Sequence, residues 1–201
     1  MYIVIGRYAG AAGKIAEAAP KVQQGLVPLI KEQPGFLGYA ALASEQGEIV
    51  AFFIWKTAET MALGRDKVRS WLANNLPEEA EPTERFIGEV GLHAIAEPQS
   101  GGPGQSLYCL IRRVENLSAE GPQSEARKAM LAAAQKAPGF RGLYYARSTD
   151  DLTRGASILL CDTREHAAAI HEEAMVISKQ MQPDVTIRVM ASGESTILAM
   201  A

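Results

Sequence analysis

The sequence predicts an α+β protein of two ferredoxin-like βαββαβ repeats, whose antiparallel sheets pack into one α+β barrel. Three observations support this fold class. The chain contains an internal repeat, each copy has the strand and helix pattern of one βαββαβ unit, and several strands are apolar on both faces. A strand that is apolar on both faces needs a cover on each side, and its own helices cover only one. The sheet of the other repeat is the expected second cover.

The repeat is visible in three pairs of segments, whose partners are 104 to 106 residues apart. The pairs are YIVIGRY at 2–8 with YCLIRRV at 108–114, QPGFLG at 33–38 with APGFRG at 137–142, and FIWKTAE at 53–59 with LLCDTRE at 159–165. A run rich in glycine, proline and serine separates the copies and cannot propagate helix or strand. We therefore predict a first repeat at 1–96, a linker at 97–106 and a second repeat at 107–201.

The elements of the first repeat follow in chain order. Residues 2–8 are rich in β-branched and aromatic side chains, which favour a strand. Residues 11–32 have helical periodicity interrupted by Pro20, Gly25 and Pro28, so a kinked or two-piece helix is expected. The remaining elements are a hairpin of strands 36–43 and 48–56, a helix from its N-cap Thr57 to about Asn75, and a strand at 85–95.

The last helix of the second repeat has the clearest pattern. Asp162 and Thr163 can cap its start, and Glu165 is placed for a capping-box contact. Apolar side chains then recur at helical spacing until Pro183 ends the helix. The predicted core-facing positions are Ala167, Ile170, Ala174, Ile177 and Met181.

Composition and charge disfavour several classes of function. A net charge of −3 and a pI near 5.7 do not suit a nucleic-acid surface. No apolar stretch has the length of a membrane span and no signal peptide follows Met1, so a cytoplasmic location is expected. No pair of histidines or carboxylates has metal-ligand spacing toward a cavity. We expect neither a metal nor a cofactor.

The two cysteines are too few for a disulfide scaffold, and they give a prediction of their own. In a 4-1-3-2 antiparallel sheet, the strand that contains Cys109 lies beside the strand that contains Cys161. Their positions along these strands give both the same face. We expect the two sulfurs to be near neighbours, packed as free thiols in the manner of small hydrophobic side chains.

Three motifs occur in both halves: a first strand that ends near Arg7 or Arg113, a Pro-Gly-Phe-x-Gly turn, and a strand-to-helix junction such as WKTAE at 55–59. On these motifs each half resembles the antibiotic biosynthesis monooxygenase family of small dimeric α+β barrels. The resemblance covers nearly the whole chain apart from the linker and the last few residues. It implies that one chain supplies both halves as a monomeric pseudo-dimer, and further homodimerisation stays open.

The wider superfamily includes cofactor-free quinone-forming monooxygenases, haem-degrading enzymes and isomerase-like enzymes. The Asn, Trp and His positions of the haem-degrading branch correspond to Arg7, Gly64 and Asn74, and in the second repeat to Arg113, Ile170 and Gln180. In the anthrone-oxidising branch, the Asn, Trp, Tyr and Arg positions correspond to Ala51, Trp55, Met61 and Asn75, with Ser157 and Cys161 in the second repeat. None of the haem-degrading residues is kept, and of the anthrone-oxidising set only Trp55 is kept. What the resemblance implies is a dry aromatic pocket, where O₂ reacts with a hydroquinone-like carbanion after a base removes its proton.

The resemblance also implies a cavity between each sheet and its own helices. The residues that it places on the cavity side are Ile3, Ile5, Arg7, Ala51, Phe53 and Trp55, and in the second repeat Cys109, Ile111, Arg113, Ser157, Leu159 and Cys161.

The candidate substrate-binding residues are Arg7, Phe53, Trp55, Trp71, Arg113 and His166. An arginine on an apolar strand needs a partner or an anionic ligand, so Arg7 and Arg113 could recognise a phenolate, carboxylate or enolate oxygen. The alternative is a strand-end arginine that reaches solvent or pairs with a helix carboxylate, which the general exposure of charged residues favours. Trp55 and Trp71 either wall a pocket, with Gly64 keeping space, or fill the core.

The three histidines are the natural proton carriers near neutral pH. His166 could point into the second cavity, although a half-exposed position in the first helical turn suits histidine better. His171 is expected in solvent and His93 at a strand edge. No catalytic residue can be assigned from the sequence.

Three functions stay open. The first is a cofactor-independent, monooxygenase-like enzyme acting on a small aromatic or quinol-like compound, which requires an apolar cavity with a few convergent polar groups. The second is a non-catalytic ligand-binding or stress-response barrel, which holds a small hydrophobic molecule without a positioned base or acid. The third is a structural role, which predicts filled cavities and an exposed apolar patch. The loss of family residues favours the second, and neither nucleic acid nor membrane is an expected partner.

Overall fold

The protein is described by a computed structural model over residues 1–8, 12–79, 81–96, 106–118 and 124–200. The predicted linker at 97–106 lies outside these residues except for its last position. Among the helices described, none has both the length and the apolar character needed to cross a membrane.

The described residues form eight strands and five α-helices. The strands are β1 (Tyr2–Tyr8), β2 (Phe36–Ala43), β3 (Ile49–Trp55), β4 (Glu84–Ile95), β5 (Tyr108–Glu115), β6 (Phe140–Ser148), β7 (Gly155–Cys161) and β8 (Thr186–Met200). The helices are α1 (Ile15–Lys21), α2 (Val27–Lys31), α3 (Ala58–Asn75), α4 (Glu125–Lys136) and α5 (Arg164–Met181). Hydrogen bonds connect the strands in the closed order β1-β3-β2-β8-β5-β7-β6-β4. The predicted α+β barrel of two ferredoxin-like repeats is confirmed.

The chain divides into two compact units. The first unit comprises Met1–Ile87 with Ser195–Ala201, and the second comprises Gly88–Glu194. Within the second unit, β4 pairs with β6, and the first part of β8 pairs with β5. Within the first unit, the last part of β8 pairs with β2. The long strands β4 and β8 therefore each contribute to both units.

The predicted interruption of the first helix is confirmed. Pro20 lies inside α1 and Pro28 lies near the start of α2, and between the two helices the segment Val22–Leu26 is a π-helical turn. Proline has no N–H to donate, and its ring clashes with a carbonyl of the preceding turn. A wider turn between two such prolines is a usual response of a helix to this conflict.

Both faces of the first unit's central strands are buried. One face of β1 and β3 packs with α3 in the core that contains Val4, Phe53 and Val68. On the opposite face, Ile3 and Phe52 are exposed by only 1% and 0%. This burial agrees with the apolar residues on both faces that the sequence shows.

The Pro-Gly-Phe turn has the same conformation in both repeats. Gly35 and Gly139 have φ angles of 74° and 69°, a region that L side chains rarely adopt. Each glycine carbonyl accepts a hydrogen bond from the residue after the adjacent strand, Lys56 at 2.8 Å and Asp162 at 2.9 Å. The repeated motif is thus a junction that fixes how the hairpin meets the following helix.

The helix caps match the sequence in part. Thr57 caps α3 through a reciprocal capping box with Thr60, and Thr163 caps α5 by accepting from the His166 N–H. Asp162 does not cap, because its carboxylate accepts a 3.0 Å hydrogen bond from Arg141.

The predicted core face of α5 is right at Ala167, Ile170 and Ala174, which are buried. It is wrong at Met181, which is 48% exposed, whereas Ser178 is 3% exposed. Ser178 continues the buried row of the helix four residues after Ala174, and Met181 is the last residue of the helix.

Gly64 lets α3 approach the ring of Trp55. A Cβ at position 64 would overlap the Trp55 indole. Trp55 is 1% exposed, and its ring meets Phe36 edge-on with centroids 5.7 Å apart. The space kept by Gly64 is therefore filled by protein.

We expect Gly64→Ala to lower the free energy of unfolding by about 1–3 kcal/mol, because the added methyl group overpacks against Trp55. Alanine is the better helix former, so a simple propensity argument predicts the opposite sign. Gly13→Ala is the matched control, since nothing lies within 4 Å of a Cβ there. Urea unfolding of both variants measures the difference, and an unchanged or raised stability of Gly64→Ala would contradict the packing argument.

Candidate functional site

The first unit contains two adjoining cavities between its sheet and its helices. The larger first-unit cavity encloses about 500 Å³ and the smaller about 470 Å³, each counted with its open mouth. They share three wall residues, Tyr8, Phe53 and Leu72.

The larger first-unit cavity is apolar except for two hydroxyl groups. Ala41 and Ala51 leave the space open, and Tyr8 and Tyr39 supply the hydroxyls. Burial raises the pKa of Tyr8 to about 12. Burial, and secondarily the nearby Tyr8, raises the pKa of Tyr39. Both phenols are therefore neutral near pH 7, where they can donate hydrogen bonds but cannot act as bases.

The smaller first-unit cavity combines an aromatic wall with a basic rim. Trp55 lies in its wall, and Arg65, Arg69 and Arg85 line it as well. Glu81 pairs with Arg69 at 2.6 Å and with Arg85 at 3.2 Å. Among the described residues that line either cavity there is no aspartate, glutamate or histidine. Within its described lining, the site thus offers hydrogen-bond donors and positive charge, and no carboxylate or imidazole that could act as a base.

Arg7 does not face this site. The side chains of β1 that point toward the helices include Val4, because Val4 is the direct cross-strand partner of Phe53 and shares its face. The placement of Ile3, Ile5 and Arg7 on the cavity side is therefore wrong by one residue. The Arg7 guanidinium donates three hydrogen bonds of 2.7 to 2.9 Å to the Glu48 carboxylate, and it also pairs with Glu84.

The same one-residue correction applies to β5. Arg112 is the direct partner of Ser157, so Arg112 faces the helices, whereas Arg113 lies on the opposite face beside Arg188 of β8. Placing Cys109, Ile111 and Arg113 on the cavity side is therefore wrong. Ser157 and its face-mates on β7 are on the expected side.

Arg112 is a site residue that the sequence reasoning missed. It is 1% exposed, and its Nε donates a 2.8 Å hydrogen bond to Ser157 Oγ. The corresponding pair in the first repeat is Gly6 and Ala51, 106 residues earlier. The antiparallel pairing of β5 with β7 was the signal that could have identified it. With Tyr108 opposite Cys161, Arg112 falls opposite Ser157.

The histidines lie apart from the first-unit cavities. His166 packs over Gly139 of the Pro-Gly-Phe turn, where a Cβ would overlap its ring. His93 is exposed on β4 and stacks on Tyr144 with ring centroids 5.9 Å apart. His171 is half-buried with its Nδ1 shielded from solvent, so the expectation of a solvated side chain is wrong.

Of the two tryptophans, only Trp55 lines a described cavity. Trp71 is half-buried and packs on Gly25 in the π-helical turn, where a Cβ would lie 2.8 Å from its ring. Phe53 lines both first-unit cavities. The structure thus brings together Phe53 and Trp55 from the predicted set, and adds Tyr8 and Tyr39 to them.

Cys109 and Cys161 are both buried free thiols. Cys109 pairs directly with Leu160, the neighbour of Cys161, so the two cysteines are close in register. They lie on opposite faces of the sheet, and the prediction of a shared face is wrong. Burial raises the pKa of each thiol to about 12.

Residues 1–63 match the family model described as Antibiotic biosynthesis monooxygenase. The predicted resemblance to this family is confirmed. The matched segment contains β1, β2, β3 and the first turns of α3, and therefore Tyr8, Tyr39, Phe53 and Trp55 of the first-unit cavities. Comparison with curated protein sequences gives no significant match.

Solved structures with the same fold cover nearly the whole chain. An anthrone oxidase-like protein shares 16% identity at a TM-score of 0.62, with 100% of this chain and 93% of that chain covered. A protein named as a monooxygenase from Lactobacillus acidophilus NCFM shares 12% identity at a TM-score of 0.70, covering 99% and 95%. A chlorite dismutase from Candidatus Nitrospira defluvii shares 12% identity at a TM-score of 0.58, covering 98% and 91%. At these identities the likeness establishes the fold alone.

We expect Arg7→Met to lower the free energy of unfolding by about 1–2 kcal/mol, because it leaves the Glu48 and Glu84 carboxylates without their cation. Lys128→Met, which removes an exposed pair with Glu125, is the control and should change stability by less than about 0.5 kcal/mol. Chemical denaturation of the two variants gives both values. Equal effects would show that the Arg7 ion pairs contribute no more than a surface pair.

The thiols should be unreactive in the folded protein, because Cys109 and Cys161 are buried and protonated at pH 8. We expect a chromogenic disulfide reagent to label neither thiol in native buffer and both in guanidinium chloride. Ser70→Cys, at an exposed position of α3, is the positive control for accessibility. Fast labelling of two thiols in native buffer would contradict the burial.

Proposed function

We propose that the protein is a monooxygenase-like enzyme that oxidises a small aromatic or quinol-like compound in the first-unit cavities without a cofactor. One observation carries the proposal: the segment that matches the monooxygenase family also forms the aromatic walls of these cavities. The largely apolar lining of the larger cavity excludes competing water.

The balanced reaction that suits this site converts an activated ring methylene to a carbonyl. The CH₂ group and O₂ give C=O and H₂O, so the substrate supplies all four electrons and no external reductant is needed. The first step is loss of a ring proton to give a resonance-stabilised carbanion. The second is electron transfer from this carbanion to O₂, followed by bond formation between carbon and oxygen.

The residues of this chain would act on the substrate's oxygen atoms. Tyr8 and Tyr39 are neutral donors that can stabilise a phenolate or enolate through hydrogen bonds, which are stronger to a charged acceptor. Arg65 at the smaller cavity adds positive charge that favours the anionic form of the substrate. With no described carboxylate or histidine in the lining, the proton leaves to water or to the substrate's own oxygen.

The same lack of a lining base favours a second candidate function. A cavity with hydrogen-bond donors and no positioned base can hold a small phenolic compound without transforming it. In that case the protein is a binding or stress-response barrel. The two functions differ in one measurable property, the consumption of O₂.

Oxygen uptake with anthrone and a panel of hydroquinones tests the proposal. We expect uptake above the uncatalysed rate and one ¹⁸O atom in the product formed under ¹⁸O₂. If the same compounds raise the melting temperature of the protein and no uptake occurs, the binding function is correct and the enzymatic one is not.

Variants of the cavity locate the reaction. Ala51→Phe should abolish uptake by filling the larger cavity, and Tyr8→Phe should lower the rate about tenfold by removing one donor. Ala73→Phe makes the same substitution at an exposed position of α3 and should leave the rate unchanged. Circular dichroism checks that each variant is folded. Full activity of a folded Ala51→Phe variant would place the reaction elsewhere.

A further inference from the structure

The second unit contains a buried arginine without a countercharge. Arg112 is 1% exposed, and its one described hydrogen bond is from Nε to Ser157 Oγ. Both terminal nitrogens, Nη1 and Nη2, are shielded from solvent and have no hydrogen-bond partner among the described residues. A buried guanidinium in this state is unfavourable unless something else binds it.

Two further polar atoms near Arg112 are also buried and unpartnered. They are the hydroxyl of Tyr145 and Nδ1 of His171. Burial raises the pKa of Tyr145, and the nearby positive charge of Arg112 acts in the opposite direction. Burial and then Arg112 lower the pKa of His171, which Glu172 on the same helix partly offsets. The Tyr145 hydroxyl and the Arg112 guanidinium are close enough to interact directly. Apart from the bond to Ser157, none of these atoms has a hydrogen bond of normal geometry to a described residue.

The charge around this group is positive. Arg127 of α4 is only 6% exposed, and burial followed by the neighbouring Arg147 lowers its pKa. Arg127 is also close enough to Tyr145 for its charge to act on the phenol. No described carboxylate forms an ion pair with Arg112.

The fold does not require this group, as the first repeat demonstrates. Gly6 and Ala51 occupy the positions of Arg112 and Ser157. Ala41, the cross-strand partner of Ala51, occupies the position of Tyr145, the partner of Ser157. The same strands therefore form in the first repeat with three small side chains and no charge. A polar group that the architecture can do without, and that is unfavourable when empty, is best explained by a ligand.

A cavity adjoins the group. It encloses about 410 Å³ with its mouth, and Tyr145 and Arg127 lie in its wall. Its other lining is largely apolar, for example Val114, Met130 and Ile187. Tyr145 is thus common to the cavity and to the surroundings of Arg112. Arg112 is not itself a lining residue, so the charged end of a molecule bound in the cavity has to reach the guanidinium past Tyr145.

We propose that the second unit binds a small carboxylic acid, with its carboxylate on Arg112 and its apolar body in the adjoining cavity. The two free Nη groups match the two oxygens of a carboxylate, the geometry in which guanidinium binds most strongly. The Tyr145 hydroxyl donates a further hydrogen bond to the same carboxylate. This site shares no residue with the first-unit cavities and does not depend on the proposed oxidation.

Benzoate is the probe, and its neutral isostere benzamide is the control. Melting temperature and calorimetric binding are measured for the full chain at constant ionic strength. We expect benzoate to raise the melting temperature in a saturable manner and benzamide to have no effect. If benzoate, benzamide and acetate all leave the melting temperature of the wild-type protein unchanged, water alone satisfies Arg112. That result would overturn the proposal.

Arg112→Met and Arg113→Met form a matched pair of variants. The two residues are adjacent in sequence and lie on opposite faces of β5, so both changes remove one positive charge. Arg112→Met should abolish benzoate binding and raise the melting temperature without ligand, because it removes a buried unpaired charge. Arg113→Met should bind benzoate like the wild type. Equal benzoate binding by both variants would refute the assignment.

Two more variants keep the test decisive if Arg112→Met does not fold. Tyr145→Phe is nearly isosteric and should weaken benzoate binding about tenfold. Unchanged binding by Tyr145→Phe would count against the site. Ala51→Phe, which fills the larger first-unit cavity, should leave benzoate binding intact. Loss of benzoate binding in Ala51→Phe would assign the benzoate site to the first unit. It would overturn the proposal whatever the result on O₂ uptake.

Discussion

The two-residue alternation of side chains along β1 and β5 is the constraint on which the rest of the structure depends. Val4 opposite Phe53, and Arg112 opposite Ser157, determine which side chains of the first strands meet the helices. A shift of one residue exchanges Arg7 for Tyr8 in the first unit and Arg113 for Arg112 in the second. In each repeat, the register of one strand therefore determines which polar side chains face the helices.

The duplication gave one architecture two different interiors. In the first repeat, Gly6 and Ala51 are small, and the volume they leave is bounded by aromatic side chains. In the second repeat, Arg112 and Ser157 occupy the corresponding positions and make the interior polar and positively charged. Because the strands and junctions are the same, the difference is confined to side chains. The larger first-unit cavity is lined mostly by apolar side chains, whereas the interior of the second repeat contains two buried arginines, Arg112 and Arg127.

Close packing of a ring on a glycine occurs at three places in the described part of the chain. Gly64 admits Trp55, Gly139 admits His166, and Gly25 admits Trp71. In each case a ring occupies the place of a missing Cβ. Two of the six candidate binding residues, Trp71 and His166, are thus packed on glycines away from the described cavities. For these two residues, the contact between an aromatic ring and a glycine reflects close packing and not a binding site.

The sequence alone determined the strands, the interrupted first helix, the caps at Thr57 and Thr163, and the barrel of two repeats. These features depend on local propensity, on proline and glycine, and on an internal repeat that is visible without coordinates. Only the tertiary structure decided that Arg112 and Tyr8, rather than Arg113 and Arg7, face the helices. Strand register depends on hydrogen bonds between distant segments, and an apolar strand that is buried on both faces has no polar alternation from which its inner face can be read.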